Sequence, residues 1–284
     1  GGKIMINNNK YWRYTLGNIF LYRYSCDEDT NKQLNELKSE IQEGEESKAT
    51  YYPLPTAVKE LENQMVYVKG GTFTMGCTSE QSNCETDEKP IHQVTLSSFR
   101  MSKYEVTQAL WKEVMGNNPS RFKGSNLPVE QVSWYDIQSF LQKLNQLTGK
   151  NYSLPTEAEW EFAARGGTKG RGYKYAGSDN ISSAAWYLGN SESKMHPVGQ
   201  KTPNEIGLYD MTGNAWEWCQ DWYRDYSSSS QQNPRGLDSD SYRVGRGGGW
   251  SSSARYCRVS DRYWSTPSDR YDYLGFRLVL RRLV

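Results

Sequence analysis

The chain has 284 residues, with 34 Lys and Arg balanced by 33 Asp and Glu for a formal net charge of +1, which excludes the electropositive footprint of a nucleic-acid binder. Its 21 Tyr and 10 Trp raise the aromatic share to 13%, and aromatics supply packing area together with a polar handle at binding surfaces. Low aliphatic content beside 25 Gly points to an irregular, loop-rich fold, and no run of about 18 apolar residues exists to form a spanning helix.

The opening GGKIMINNNK has neither the charged n-region nor the apolar h-region of a signal peptide. A processed chain reads the same way, so export stays open. KYWRYTLGNIFLYRYS, Lys10 to Ser25, predicts one or two strands. From Asp27 to Ser47 the charged segment predicts a solvated amphipathic helix, with Leu34, Leu37 and Ile41 on one side, lying on the main domain or on a partner. YYPLP, Tyr51 to Pro55, reads as a linker. Residues 1–62 therefore form an N-terminal extension and residues 63–284 one domain.

At Met65 the texture changes. MVYVKGGTFTMG alternates around Gly70-Gly71 as a hairpin or bulged strand pair would. The five cysteines, Cys26, Cys77, Cys84, Cys219 and Cys257, include no CxxC pair, which disfavours a zinc ribbon. Within CTSEQSNC, Cys77 and Cys84 close a loop if their Cα atoms approach within about 7 Å, or else remain two thiols. HQVTLSSFRMSKYEVT continues the strand signal and enters a helix with Val106, Leu110 and Val114 on one face. Ser133 with Asp136, and Thr156 with Glu159, are S/T-x-x-D/E capping boxes that predict helices over about Trp134 to Leu147 and Glu157 to Arg165. Beyond Gly166, Gly, Ser, Asn and Asp interrupt every apolar run, so short strands and long loops follow, and loops on a rigid scaffold are where binding concentrates.

The C-terminal stretch GGGWSSSARYCRVSDRYWSTPSDRYDYLGFR, Gly247 to Arg277, holds six Ser, four Tyr and three Asp with few aliphatic anchors. Tyr gives large contact area at low entropy cost and Ser gives adaptable hydrogen bonds, the composition of an antibody-like surface.

MVYVKGGTFTMG, KYEVTQALW, PVEQVSWYDIQSF, SLPTEAEWEFAARGG, NEIGLYDMTGNAWEWCQDWY and RGGGW…LGFRL resemble, in order, the motifs of the formylglycine-generating enzyme, or sulfatase-modifying factor, family. The resemblance covers about Met65 to Leu280 and implies an α+β, C-type-lectin-like fold with short mixed strands, two main helices and extensive loops. Those enzymes oxidise a substrate cysteine with two copper-binding cysteines five positions apart. Here the second aligns with Cys257, but the first is Ser252. A neutral hydroxyl does not replace a soft thiolate on Cu(I), so no copper and no enzyme activity are expected, with Cys257 a small buried hydrophobe. The alternative is a formylglycine-generating oxidase completed by another cysteine such as Cys219, or a degenerate enzyme of that family.

The resemblance also implies a structural Ca²⁺ site, with Asp210 and Glu217 as side-chain ligands and Gly213 and Ala215 offering backbone carbonyls. The competing reading makes the two carboxylates hydrogen-bonding groups in a buried aromatic corner. A second family calcium site expects an Asn near Ala185, and that ligand is missing. The EPN and QPD tripeptides of sugar-binding lectins are also absent.

The Tyr/Ser/Asp-rich segment resembles the variable proteins of diversity-generating retroelements, of the treponemal surface-lipoprotein type, whose C-terminal repeat is rewritten on this scaffold. That resemblance implies a ligand-binding, receptor-like protein without catalytic residues. It implies a protein or cell-surface partner, a monomer, and a cell-surface or extracytoplasmic place on a lipid anchor. Arg255, Cys257, Arg258, Val259, Arg262, Pro267, Arg270 and Leu274 read as fixed spacers. The candidate ligand-binding positions between about 250 and 273 are Ser251, Ser253, Tyr256, Asp261, Tyr263, Trp264, Ser265, Thr266, Ser268, Asp269, Tyr271, Asp272 and Tyr273. Trp264 fits less well, because adenine changes in an Asn codon do not yield Trp. In this scheme Trp250, Leu274 and Phe276 are buried framework, and the Tyr and Trp side chains lie exposed together on one face.

Overall fold

The computed structural model describes residues 54–236 and 238–281, together with the backbone of residues 3–6, 11–16 and 19–24. Strands β1 (Lys3–Ile6), β2 (Tyr11–Leu16) and β3 (Ile19–Tyr24) form an antiparallel meander, so Lys10 to Ser25 yields two strands. The helix expected over Asp27 to Ser47 lies outside the described residues.

Helix α1 (Thr56–Asn63) buries Val58 and Leu61 in the cluster that holds Val106, Leu110 and Trp111. The last turns of the segment assigned to the extension thus belong to the domain core. Next come β4 (Met65–Val68) and β5 (Gly71–Met75), which are not a hairpin. β4 pairs with β7 (Phe99–Ser102) and β5 with β6 (His92–Leu96), placing them in different sheets. Gly70 permits this switch, because a Cβ there would lie 2.4 Å from the Leu96 carbonyl oxygen, too close for any side chain.

Helix α2 (Gln108–Met115) starts at Thr107, whose side chain accepts from Leu110 N, and Val106 lies just before it. Helix α3 (Trp134–Thr148) opens on the expected box: Ser133 Oγ accepts from Asp136 N at 3.1 Å and Asp136 Oδ2 accepts from Ser133 N at 2.8 Å. The same pairing of Thr156 with Glu159 starts α4 (Glu157–Ala164), which is buried along its whole length. Between them β8 (Tyr152–Ser153) closes the sheet β4-β7-β14-β8, where β14 is Val279–Leu280. A short helix, α5 (Ile181–Ala184), follows.

The remaining four-stranded sheet has the order β12-β11-β9-β13. It is built from β9 (Trp216–Trp222), β11 (Arg243–Arg246), β12 (Tyr263–Ser265) and β13 (Leu274–Gly275), while β10 (Gln231–Gln232) joins β6 in parallel. Its central strands rest on two aromatic-rich clusters. In one, Trp111 stacks on Phe140 at 5.1 Å and Phe276 meets Phe140 edge-on at 5.4 Å; the other surrounds Trp160 and Phe162. Cys77 and Cys84 are joined as a disulfide, with Cα atoms 6.1 Å apart. Among the described residues no helix is long and apolar enough to cross a membrane.

Candidate ligand-binding surface

The segment from Ser251 to Tyr273 wraps the outer edge of the β12-β11-β9-β13 sheet. It includes a 3-10 turn over Ala254–Cys257 and the edge strand β12. Its course is fixed from below by buried arginines. Arg258 is fully buried and grips Glu88 with both terminal nitrogens, Nη1 to Oε2 at 2.7 Å and Nη2 to Oε1 at 2.6 Å. Arg262 makes the matching fork on Glu157, Nε to Oε1 at 2.7 Å and Nη2 to Oε2 at 2.9 Å. Arg246 on β11 pairs with Glu161 and Glu157 of α4. Bidentate Arg–carboxylate pairs are directional as well as strong, and breaking one leaves an uncompensated buried charge. Burial raises Glu88 and Glu157, but Arg258 and Ser260 on the first, and Arg262 and Arg246 on the second, more than offset it and hold both below the usual range.

Main-chain bonds add anchors that involve no side chain. Leu188 N donates to Ser252 O at 2.9 Å, Val259 N to Lys174 O at 3.2 Å, Gln131 N to Tyr271 O at 2.9 Å and Trp216 N to Tyr273 O at 2.8 Å.

Between these anchors the side chains sort by exposure. Ser251, Ser253, Tyr256, Trp264, Thr266 and Ser268 are exposed, and Tyr263, Asp269, Tyr271, Asp272 and Tyr273 are half-buried. Asp261 and Ser265 are buried and are corrected to interior positions. Asp261 turns in to accept from Arg258 at 3.1 Å, and Ser265 turns in to donate to Asp269 at 2.6 Å. The spacers Cys257, Arg258, Val259, Arg262, Pro267 and Leu274 are buried, whereas Arg255 and Arg270 are exposed and pair with Glu85 and Asp136. Leu274 and Phe276 are buried as framework, but Trp250 is only half-buried. Its ring meets Phe122 edge-on at 5.4 Å and its Nε1 donates to Asp272 O at 3.0 Å.

The aromatics do not share one face. Alternation along a strand sends neighbours to opposite sides, and β12 divides them accordingly. Tyr263 packs on Trp216 at 5.0 Å and bonds Tyr273 through the hydroxyls at 3.3 Å, with Tyr271 stacked on Tyr273 at 5.0 Å. Trp264 points the other way, against Tyr242 at 4.4 Å. Tyr242 and Trp216 lie outside the segment and were not singled out from the sequence, because nothing local distinguishes a surface tyrosine beside a distant edge strand.

Ser252 is buried, and its Oγ accepts from Trp216 Nε1 and Gly249 N, each at 3.0 Å. Cys257 is fully buried, and burial pushes its thiol up, away from the reactive thiolate. A Cβ at Gly248 would lie 2.5 Å from Cys257 Sγ, so the sulfur has no room for a second soft ligand on that side. Cys219 is also buried, with its thiol pushed up by burial and then by Asp221.

The calcium ligands expected at Asp210, Gly213, Ala215 and Glu217 meet a competitor. Arg277 forks onto Glu217, Nε to Oε2 and Nη2 to Oε1 both at 2.7 Å, and Trp160 Nε1 donates to Oε2 at 2.7 Å. Asp210 Oδ2 accepts from Gly199 N at 2.7 Å. A guanidinium thus occupies both Glu217 oxygens, while Asp210 Oδ1 is buried without a hydrogen-bond partner. Among the described residues no group of three or more His, Cys, Asp or Glu is arranged to hold a metal.

Three buried carboxyls elsewhere set a pH response. Burial raises Glu130, Asp221 and Asp261 to about 7, and Glu130 Oε2 and Asp261 Oδ2 have no hydrogen-bond partner. The folded chain therefore binds more protons than the unfolded chain between about pH 4 and 7. The stability this contributes is full below the unfolded values and is lost as pH rises through 7. Glu88 and Glu157, held low, act only below their ordinary values, outside that window. Melting is expected several degrees higher at pH 5.5 than at pH 8, since each kcal/mol moves a domain of this size by roughly 2–4 °C. Equal melting temperatures would remove the protonated carboxyls.

The model of the sulfatase-modifying factor enzyme 1-like domain matches residues 51–282. The chain belongs to that family. Among solved structures this family member is similar to Treponema denticola variable protein 1, at 35% identity and a TM-score of 0.70, covering 77% of this chain and 95% of that one. It is 34% identical over 248 residues to the chaperone protein LppX of Paenibacillus barcinonensis, covering 70% of this chain and 82% of the relative. It is 29% identical over 294 residues to the formylglycine-generating enzyme of Streptomyces coelicolor, covering 79% and 91% respectively. The α+β, C-type-lectin-like fold of the formylglycine-generating type is thus shared by a variable protein and by enzymes.

Proposed function

We propose that the chain is a ligand-binding, receptor-like variable protein, and that residues 251–273 form its diversified recognition surface. The observation that carries this reading is the partition within the segment. Most spacer side chains are buried in ion pairs or apolar packing, while all candidate positions except Asp261 and Ser265 retain contact with solvent. A scaffold held by residues other than those that meet the ligand can change specificity without refolding. The ligand is a protein or another cell-surface molecule, and the chain acts outside the cytoplasm on a lipid tether. The Cys77–Cys84 disulfide supports that compartment, since such bonds persist where the surroundings are oxidising. Asp210 and Glu217 serve the scaffold in this reading, without metal. Sequencing the gene from several isolates is the direct test. Substitutions should concentrate at the exposed candidates and spare Arg258 and Arg262, and uniform conservation across the segment would sink the proposal.

The second reading, a formylglycine-generating oxidase, draws on the likeness to the Streptomyces enzyme. The hydrogen bonds that occupy Ser252 oppose it, as does the burial of Cys257. Incubated with Cu(I) and a CxPxR peptide, the protein is expected to give no cysteine-to-aldehyde conversion above the buffer control. Conversion that disappears in Cys257→Ala would establish the enzyme instead.

A further inference from the structure

The loop from Gly76 to Glu88 has no assigned role, yet it bonds the candidate segment at Arg255, Arg258, Ser260 and Arg262. Between Cys77 and Cys84 its sequence is TSEQSN, which offers no apolar side chain to pack. Short polar loops of this kind pay backbone entropy with little apolar burial in return, so the covalent link closes this one together with Arg165, which holds Thr78, Glu80 and the Gly76 carbonyl. Cys77 N donates to the Glu88 carbonyl at 2.9 Å, which ties the bridged loop to the backbone of the residue that Arg258 grips.

Every bond from this loop to the segment lands on its N-terminal half. Glu88 holds Arg258 and also accepts from Ser260 Oγ at 2.5 Å. Gln81 Oε1 accepts from the same hydroxyl at 3.2 Å, and Arg258 Nη1 lies 3.6 Å from Cys84 Sγ. The Asp87 carbonyl takes Arg262 Nη1 at 2.9 Å. The C-terminal half is held elsewhere, by Gln131, Trp216 and Asp136, and the N-terminal half has further ties at Ser252, Val259 and Arg262, to Leu188, Lys174 and Glu157.

We infer that the disulfide-closed loop is the clamp that positions residues 251–262, so that opening Cys77–Cys84 loosens this half of the surface while the core and residues 263–273 stay folded. The chemistry is a two-electron exchange. A dithiol reductant delivers two electrons and two protons, the Sγ–Sγ bond breaks into two thiols, and the reductant leaves as its cyclic disulfide. Glu88 then keeps only non-covalent ties, among them Cys77 N to its carbonyl and Glu85 N to its Oε1, and the buried Arg258 guanidinium, which cannot lose its proton, must follow its partner or fall back on the Asp261 carboxylate alone. That the loosened face binds a ligand rests on the function proposed above. The coupling itself is measured without any ligand, so failure of one and failure of the other are separate results.

Hydrogen exchange followed by mass spectrometry on the whole chain, with and without dithiothreitol, reads the effect directly. After reduction, exchange in 76–90 and in 251–262 is expected to rise at least about tenfold, with α3 and residues 263–273 changing less than about twofold. A rise confined to 76–90 overturns the clamp, and so does a uniform rise throughout the chain, which would make the disulfide a global staple. Glu88→Gln, with the disulfide intact, is expected to loosen 251–262 and leave 77–84 protected. An unchanged 251–262 in that variant overturns the inference independently.

Discussion

Replacing Arg277 with Ala is expected to lower the free energy of unfolding by about 3–5 kcal/mol, the range for removing one partner of a buried ion pair. Arg277 has no solvent exposure. Besides its fork on Glu217 it donates to the carbonyls of Ser102 at 3.2 Å and Tyr209 at 2.8 Å, so its loss strands two acceptors and a carboxylate together. Two further acids surround the site. Burial, then Asp210 and Glu217, pushes Glu105 well above the usual carboxylate range, and Arg277, with the Ala215 N–H, opposes the rise. Without the guanidinium, three carboxyls face one another in the interior. The check is a urea titration: the midpoint should fall with an unchanged slope. A loss under about 1 kcal/mol would mean that the pair is nearly neutral for stability. In the unaltered protein, millimolar Ca²⁺ and a chelator should give the same melting temperature, because a ligand bound only by the folded state raises it by mass action. A calcium-dependent rise would show that the cation displaces the arginine.

Phe276→Ala is expected to cost about 3–5 kcal/mol, as for other aromatics deleted from a core. Its ring meets the stacked Trp111 and Phe140 edge-on, with no exposure. By contrast, Tyr256→Ser, Trp264→Ser, Thr266→Ala and Ser268→Ala combined should cost no more than about 2 kcal/mol, at roughly 0.5 each for surface sites. Tyr263, Tyr271 and Tyr273 form an intermediate class, because they stack on one another and on Trp216, and aromatic pairs carry about 0.5–1.5 kcal/mol beyond their area. Thermal or urea unfolding of the three sets gives the ranking. If the four-site surface variant unfolds, or loses as much as Phe276→Ala, the segment is core and cannot be a freely rewritten surface.

The parts of this fold that depend on local chemistry were legible in the sequence. Ser133 with Asp136 and Thr156 with Glu159 announce two helix starts, because a capping box is a contact between residues three apart. The switch of strands at Gly70 was not legible, since alternation reports that strands exist but not which strand each will pair with. Nor were the buried arginines. Arg258, Arg262 and Arg277 look like surface residues in a single sequence, and only their distant partners, Glu88, Glu157 and Glu217, make them interior. The same partners explain Asp261: its position between spacers suggested exposure, but Arg258 draws it inward. Trp250 fails in the opposite sense, half-exposed because its indole serves the loop carrying Asp272 rather than the core.

The main-chain anchors at Ser252, Val259, Tyr271 and Tyr273 have a combinatorial consequence. A peptide N–H or C=O is the same group in nearly every amino acid, so these bonds do not register which side chain is attached. Sites that share no partner contribute nearly additively, and choices at Tyr256, Trp264, Thr266 and Ser268, whose side chains are exposed, therefore combine with little mutual veto. The number of compatible surfaces becomes the product of the options at each position, and a randomised library at these sites should lose few of its members to misfolding.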